Sequence, residues 1–329
     1  MRHGGNLEEA AERYGAPAQG WLDLSTGINP RPYPTGDLNL LRLSLQKLPS
    51  PGTLAGLLAV ACKAYDVQPH SRIVAAPGAE ILIRTLPQII HGPAALIDTS
   101  YRSYGESWAS HGSALGLATP ASLEEQPGTS AILVNPNNPD GRLLSPREML
   151  TLARGRTQGA MLVVDESYAE AEPNASIVSY LKADDPVLVL KSFGKFFGLP
   201  GLRLGFAIGA EALIGRLAAR LGDWPVSGPT IAVASTALAD EGWRTETRHW
   251  LGNQAQSLDS VLRAGRVESA GGCRLFRVAH VPDANSVHVR LARQGVWTRV
   301  FEDRPRLIRF GLPPDAQGLV RLADALASP

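Results

Sequence analysis

VLVLKSFGKFFGLPGLRLGF (187–206) joins two apolar, strand-like runs through a glycine-punctuated loop that carries Lys195 and Arg203. The flanking runs are rich in Val, Leu and Phe with little polar alternation, the composition of strands buried on both faces. In open α/β sheets, ligands bind outside the carboxyl ends of the strands. A lysine and an arginine placed just beyond such a strand therefore mark a candidate site, and the surrounding runs indicate the fold.

Outward from this stretch the pattern repeats. RIVAAPG is followed by the helical AEILIRTLPQII, AALIDTS by GESWASHG, and SAILVNP by SPREMLTLARGR; AMLVVDE follows. Strand–helix alternation predicts an α/β domain with a mostly parallel central sheet and flanking helices. Ser145, with proline after it and Glu148 three residues on, predicts a capping box at a helix start. The apolar run 54–62 reads as a core helix. Beyond about residue 222 a long helical stretch, roughly 230–264, leads into strands and a last helix in α+β style. The expected organisation is an N-terminal arm over 1–35, a large domain over 36–222 and a smaller C-terminal domain over 223–329.

Composition narrows the function classes. The 329 residues carry 32 basic and 31 acidic side chains, so no electrostatic footprint for nucleic acid or an anionic membrane is present. No apolar run reaches the roughly 20 residues that cross a bilayer. Two cysteines and seven histidines show no disulfide or metal-ligand spacing, and His280 and His288 read as surface or strand residues, so no metal is expected. These features predict a soluble cytoplasmic protein with a small-molecule substrate and neither nucleic-acid nor membrane partner. The arm shows no helix-turn-helix, which argues against a DNA-binding regulator.

Four stretches carry the chemistry. PNNPDG (136–141) follows one strand, VVDESY (163–168) ends a second, SFGK (192–195) a third, and RLGF begins the next strand at Arg203. Together they match the needs of pyridoxal 5'-phosphate, an electron sink held by a lysine with an acidic partner for its pyridine nitrogen. Lys195 is the Schiff-base candidate; a solvated surface lysine is a poor alternative between glycines and phenylalanines. Asp165, costly to bury unpaired, is the pyridine partner or else a helix N-cap. Arg203 and Ser192 suit the cofactor phosphate, with the backbone amides of Gly78, Ala79 and Glu80 at a helix start. Asn138 and Tyr168 are placed for the ring hydroxyl, and Asn138 is also a candidate for the substrate carboxylate. Tyr101 either stacks on the ring or fills core.

NPNNPDG, VVDESY and SFGKFFGLPGLRLGF resemble fold-type-I pyridoxal phosphate enzymes of the aminotransferase class I/II family, near the histidinol-phosphate aminotransferases. LIRFGLP resembles that family's carboxylate-binding segment, which implies that Arg309 holds the substrate carboxylate. HGGN (3–6), AAERYG and WLDLSTGINPRPYP resemble the threonine-phosphate decarboxylase branch. That resemblance implies decarboxylation of L-threonine O-3-phosphate, a phosphorylated amino acid, with transamination as the alternative. It also implies roles for Gly27, Ile28 and Asn29 at the carboxylate, and a homodimer. The histidine, glycine and asparagine of HGGN (His3, Gly4 and Asn6) suit a second phosphate, or form an ordinary Gly-rich tail. Three features depart from the family: Leu48-Pro49 replaces a Tyr-Pro pair, Gly194 replaces a hydroxyl residue, and CRLF (273–276) replaces an Asn-Phe pair.

Overall fold

The computed structural model describes residues 4–36, 42, 44–98, 100–157 and 159–328; His3 lies outside them. The chain divides into a larger unit, Tyr33–Asn138 with Leu143–Thr245, and a smaller one, Met1–Pro32 with Pro139–Arg142 and Glu246–Pro329. Helix Leu7–Tyr14 and a short strand, β1 (Leu22–Asp23), open the smaller unit.

The larger unit is built on one seven-stranded sheet. Its strands are β2 (Arg72–Ala76), β3 (Ala94–Ile97), β4 (Gly116–Ala118), β5 (Ser130–Val134), β6 (Leu162–Asp165), β7 (Val187–Ser192) and β8 (Gly205–Gly209). Their order is β2-β8-β7-β6-β5-β3-β4. Only β8 runs antiparallel to its neighbours, so the mostly parallel α/β expectation holds. β5 and β6 are buried at every position, as expected of their aliphatic runs 131–134 and 162–164. Leu82, Leu86, Trp108, Ile132, Val163 and Leu188 pack in one core cluster with helices on the sheet. The Ser145 capping box forms: Ser145 Oγ accepts from the Glu148 amide and Glu148 accepts from the Ser145 amide.

In the smaller unit, β9 (Ser269–Cys273), β10 (Phe276–His280), β12 (Arg299–Phe301) and β13 (Arg304–Gly311) make an antiparallel sheet ordered β12-β13-β10-β9. A further short strand, β11 (Val296–Trp297), pairs in parallel with β1. With helices Ala284–Arg293 and Ala316–Ala327 this is the expected α+β arrangement.

Several boundaries differ from the sequence reading. The arm joins the smaller unit because β1 pairs with β11. The larger unit extends to Thr245, not 222, because helix Gly228–Ala239 packs on helix Pro51–Tyr65. The single helix expected over 230–264 is two, broken at Asp240, whose carboxylate caps the second by accepting from the Trp243 amide at 2.9 Å. Helix Pro51–Tyr65 buries only Leu57, Ala61 and Tyr65, so it is not a core helix. His288 is buried rather than superficial, its ring 4.5 Å from that of Trp297. Among the described residues no helix is long and apolar enough to cross a membrane, and no group of three or more His, Cys, Asp or Glu is gathered to hold a metal.

Candidate active site

β5, β6 and β7 end side by side at Val134, Asp165 and Ser192. Because β8 runs the other way, its approach brings Arg203 to the same edge. Arg203 does not begin the strand, as the sequence reading had it. It sits two residues earlier in a left-handed turn, φ 53°, after the short turn Pro200–Leu202.

One pocket at this edge is lined by Ala79, Glu80, Tyr101, Asn138, Asp165, Tyr168, Ser192, Lys195 and Arg203. Nine of the ten expected cofactor residues thus converge within the larger unit; Gly78 is the tenth. Its amide already donates to the Ala76 carbonyl at 2.7 Å, so it is no free phosphate donor. Gly78 is favoured by its φ of 91°, where an L side chain is strained; a Cβ there would also displace the Arg203 guanidinium, 2.5 Å away at Nη2. Gly205, opposite Ser192, likewise leaves no room for a Cβ beside the Ala79 amide. Ala79, Ser192 and Arg203 are thereby packed into one donor-rich corner. First-turn amides of helix Ala79–Thr85 have no intrahelical acceptor.

Asp165 is 3% exposed. Its Oδ2 accepts from Tyr104 Oη at 2.7 Å, and its Oδ1 from the Ser167 amide and hydroxyl at 2.9 and 2.5 Å. Burial pushes its carboxyl above the usual range, while those donors and the Lys195 charge pull it back. Lys195, in the four-residue helix Phe193–Phe196, is half-buried with Nζ 5.3 Å from the Tyr168 ring centroid. The neighbouring Lys191 is committed elsewhere, in a buried ion pair with Glu166 at 2.6 Å. The Tyr101 phenol, pushed up to about 12 chiefly by burial, donates to Glu80 at 3.2 Å. Ser100 steadies the asparagine loop by donating to the Asn137 carboxamide and the Asn138 carbonyl.

Gly194 is also explained by space. A side chain there would place its Cβ 2.6 Å from Pro200 Cα, so the hydroxyl common in the family does not fit. Leu48 is 68% exposed and does not line the pocket.

The smaller unit gathers a second set. Arg309, on β13, is 6% exposed and donates to the Ser25 carbonyl at 2.9 Å. Gly27 and Asn29 are buried in the adjoining segment and Ile28 is half-buried; the Asn29 carboxamide accepts from the Arg31 amide. Gly4 packs with no room for a Cβ beside the Ser25 carbonyl, and Gly5 donates to Ser25 Oγ. Asn6 departs from the expectation of a free substrate ligand. It caps helix Leu7–Tyr14, accepting from the Glu9 amide and donating to the Glu9 carboxylate.

The described pocket fits pyridoxal 5'-phosphate: a lysine amine, a buried carboxylate held by three donors, and a corner of guanidinium, hydroxyl and amides where side-chain bulk has been removed. The model of the aminotransferase class I and II family matches residues 53–302. The chain belongs to that family.

Within the family it is 37% identical to the threonine-phosphate decarboxylase of Pseudomonas aeruginosa, over 99% of this chain and 97% of that protein. It is 36% identical to that of Sinorhizobium sp, with the same shares covered. The histidinol-phosphate aminotransferase of Sinorhizobium meliloti, solved in complex with pyridoxal-5'-phosphate, superposes with TM-score 0.83 at 20% identity, covering 97% of this chain and 92% of that one. At that identity the likeness is one of fold.

This member of the aminotransferase class I and II family also carries residues near these sets that the sequence reading missed. Ile83, Val134 and Ser167 line the pocket, and Tyr104 holds Asp165. Tyr104 lies in the helix Ser103–Ser110, which starts two residues after Tyr101. Arg299 is directly opposite Arg309 across β12 and β13, is 8% exposed, and both guanidinium groups lie over Phe301, at 5.1 and 5.9 Å. Only strand register shows that pairing.

Proposed function

We propose that the protein is a pyridoxal 5'-phosphate-dependent carboxy-lyase that converts L-threonine O-3-phosphate to (R)-1-amino-2-propanol O-2-phosphate and carbon dioxide in cobalamin biosynthesis. The observation that carries this reading is likeness to threonine-phosphate decarboxylases along nearly the whole chain, arm included.

When bound, pyridoxal 5'-phosphate supplies an electron sink for the pair released as the Cα–carboxylate bond breaks. Lys195 Nζ would hold it covalently, and the same amine is placed to deliver a proton to Cα after carbon dioxide has left. Asp165 holds a negative charge for the ring nitrogen, and Tyr104 and Ser167 keep that carboxylate fixed. Arg203 and Ser192 would hold the phosphate, with the Ala79 and Glu80 amides as further donors. Asn138 and Tyr168 serve the ring hydroxyl, and Tyr101, tethered by Glu80, the ring face. Arg309 is the candidate for the substrate carboxylate, together with the segment of Gly27, Ile28 and Asn29. Arg299, its cross-strand neighbour, suits a substrate bearing a second anionic group. We assign the enzyme to the cytoplasm as a homodimer, the state its family resemblance implies.

Threonine phosphate incubated with the cofactor-loaded enzyme, without any keto acid, should yield aminopropanol phosphate by mass spectrometry. Intact substrate, beside keto-acid-dependent turnover of histidinol phosphate, would establish an aminotransferase instead.

A further inference from the structure

We propose that Tyr104 is a positioning residue that keeps the Asp165 carboxylate ionised and fixed at the pocket floor; this rests on the cofactor reading above. Tyr104 has no exposed surface and packs in the apolar cluster with Leu82 and Trp108. Its hydroxyl reaches out of that cluster to Asp165 Oδ2 at 2.7 Å. A buried polar group of this kind is retained only where a partner satisfies it.

The geometry discriminates between the two forms of Asp165. Its Oδ1 accepts from the Ser167 amide, a donor that cannot reverse, so Oδ2 is the oxygen left to carry a proton. There the phenol would have to turn its own hydrogen back into apolar side chains. An ionised carboxylate, which only accepts, satisfies all three donors. Burial works in the opposite direction, and Tyr104 stays a donor because burial and the Asp165 charge hold its phenol well above its ordinary range. The other groups around Asp165 are Lys195, Arg203, Glu80, Tyr101 and Tyr168 on the pocket wall, with the Lys191–Glu166 ion pair at neighbouring strand positions. Of these, Lys195 also favours the charged carboxylate.

The readout is affinity of the cofactor-free protein for pyridoxal 5'-phosphate, titrated by absorbance from about pH 5.5 to about pH 8.5. Wild type loses affinity on the acid side as Asp165 protonates. In Tyr104→Phe the midpoint of that loss should move up by about one pH unit, a tenfold change in ionisation constant. Ser167→Ala should move it in the same direction by less, since the backbone amide remains; this second variant tests the idea even if the first fails to fold. Asp165→Asn should abolish the acid limb. An unmoved midpoint in a folded Tyr104→Phe, or an equal loss of affinity at every pH, would overturn the assignment and leave Tyr104 as packing. A wild-type protein that takes up no cofactor at any pH would sink the cofactor reading, and this inference with it.

Discussion

Gly194 stands immediately before Lys195, and its neighbours allow nothing larger. The Leu199–Pro200 backbone crosses where a Cβ would go, 2.6 Å from Pro200 Cα. Gly194→Ser should therefore cost about 1–3 kcal/mol through overpacking, measured by urea denaturation, and should not recover a phosphate contact. Lys195→Ala should lose the near-visible absorbance of the lysine-bound cofactor and lower turnover by about 10³-fold, the scale of a lost proton-transfer group; unchanged absorbance would remove the lysine from its role. Lys195, Asp165 and Arg203 were legible in the sequence because each is a charge set against an apolar run, where burial without a purpose is costly. Tyr104 and Arg299 were not. An aromatic beside other aromatics reads as core, and an arginine on a short strand gains meaning only from the residue opposite it.

β6 and β7 place pocket residues and buried charge in adjacent positions. Asp165 and Ser192 line the pocket, whereas the next residue on one side, Glu166, and the preceding one on the other, Lys191, form an ion pair with 0% and 2% side-chain exposure. Glu166 also accepts from the Ser176 hydroxyl and the Ile177 amide, so its charge is fully bonded. Removing one member of such a pair leaves a buried charge uncompensated, at about 3–5 kcal/mol. Lys191→Met should show that loss in denaturant unfolding, and Lys191→Met with Glu166→Gln should recover part of it; additive losses would deny the coupling. At this scale the sequence was readable where a local signal sufficed. The Ser145 capping box formed as expected because its two hydrogen bonds lie within one turn. The break at Asp240 was missed because no proline marks it and Gly242 lies inside the first turn of the second helix; the aspartate ends one helix and caps the next. Helix Pro51–Tyr65 misled for the converse reason, since an apolar composition does not say how much of a helix finds cover.

At the scale of the whole chain, residues 4–32 belong to the same unit as residues 246–328 rather than to the unit of the sheet that follows them in sequence. The junction of the N-terminal helix with helix Ala284–Arg293 surrounds Trp297, which meets Tyr14, Trp21 and His288 edge-on or tilted. His288 is 4% exposed, and its Nδ1 lies 2.8 Å from Thr298 Oγ1. Burial, helped by the Arg13 charge, lowers its pKa from 6.5 to about 4. The imidazole is thus neutral in the folded chain at pH 5, while in the unfolded chain it is mostly protonated. An unfolded state that binds more protons makes stability rise with pH, so this contribution is complete above about pH 6.5 and declines as pH falls toward 4. Between pH 7 and pH 5 the loss from this one group amounts to about 2 kcal/mol. His288→Gln, which cannot titrate, should be less stable than wild type at pH 7 yet lose about 2 kcal/mol less on moving to pH 5, as read from urea midpoints at the two pH values. Equal acid losses in the two proteins would show that the imidazole is not what ties the stability of this junction to pH.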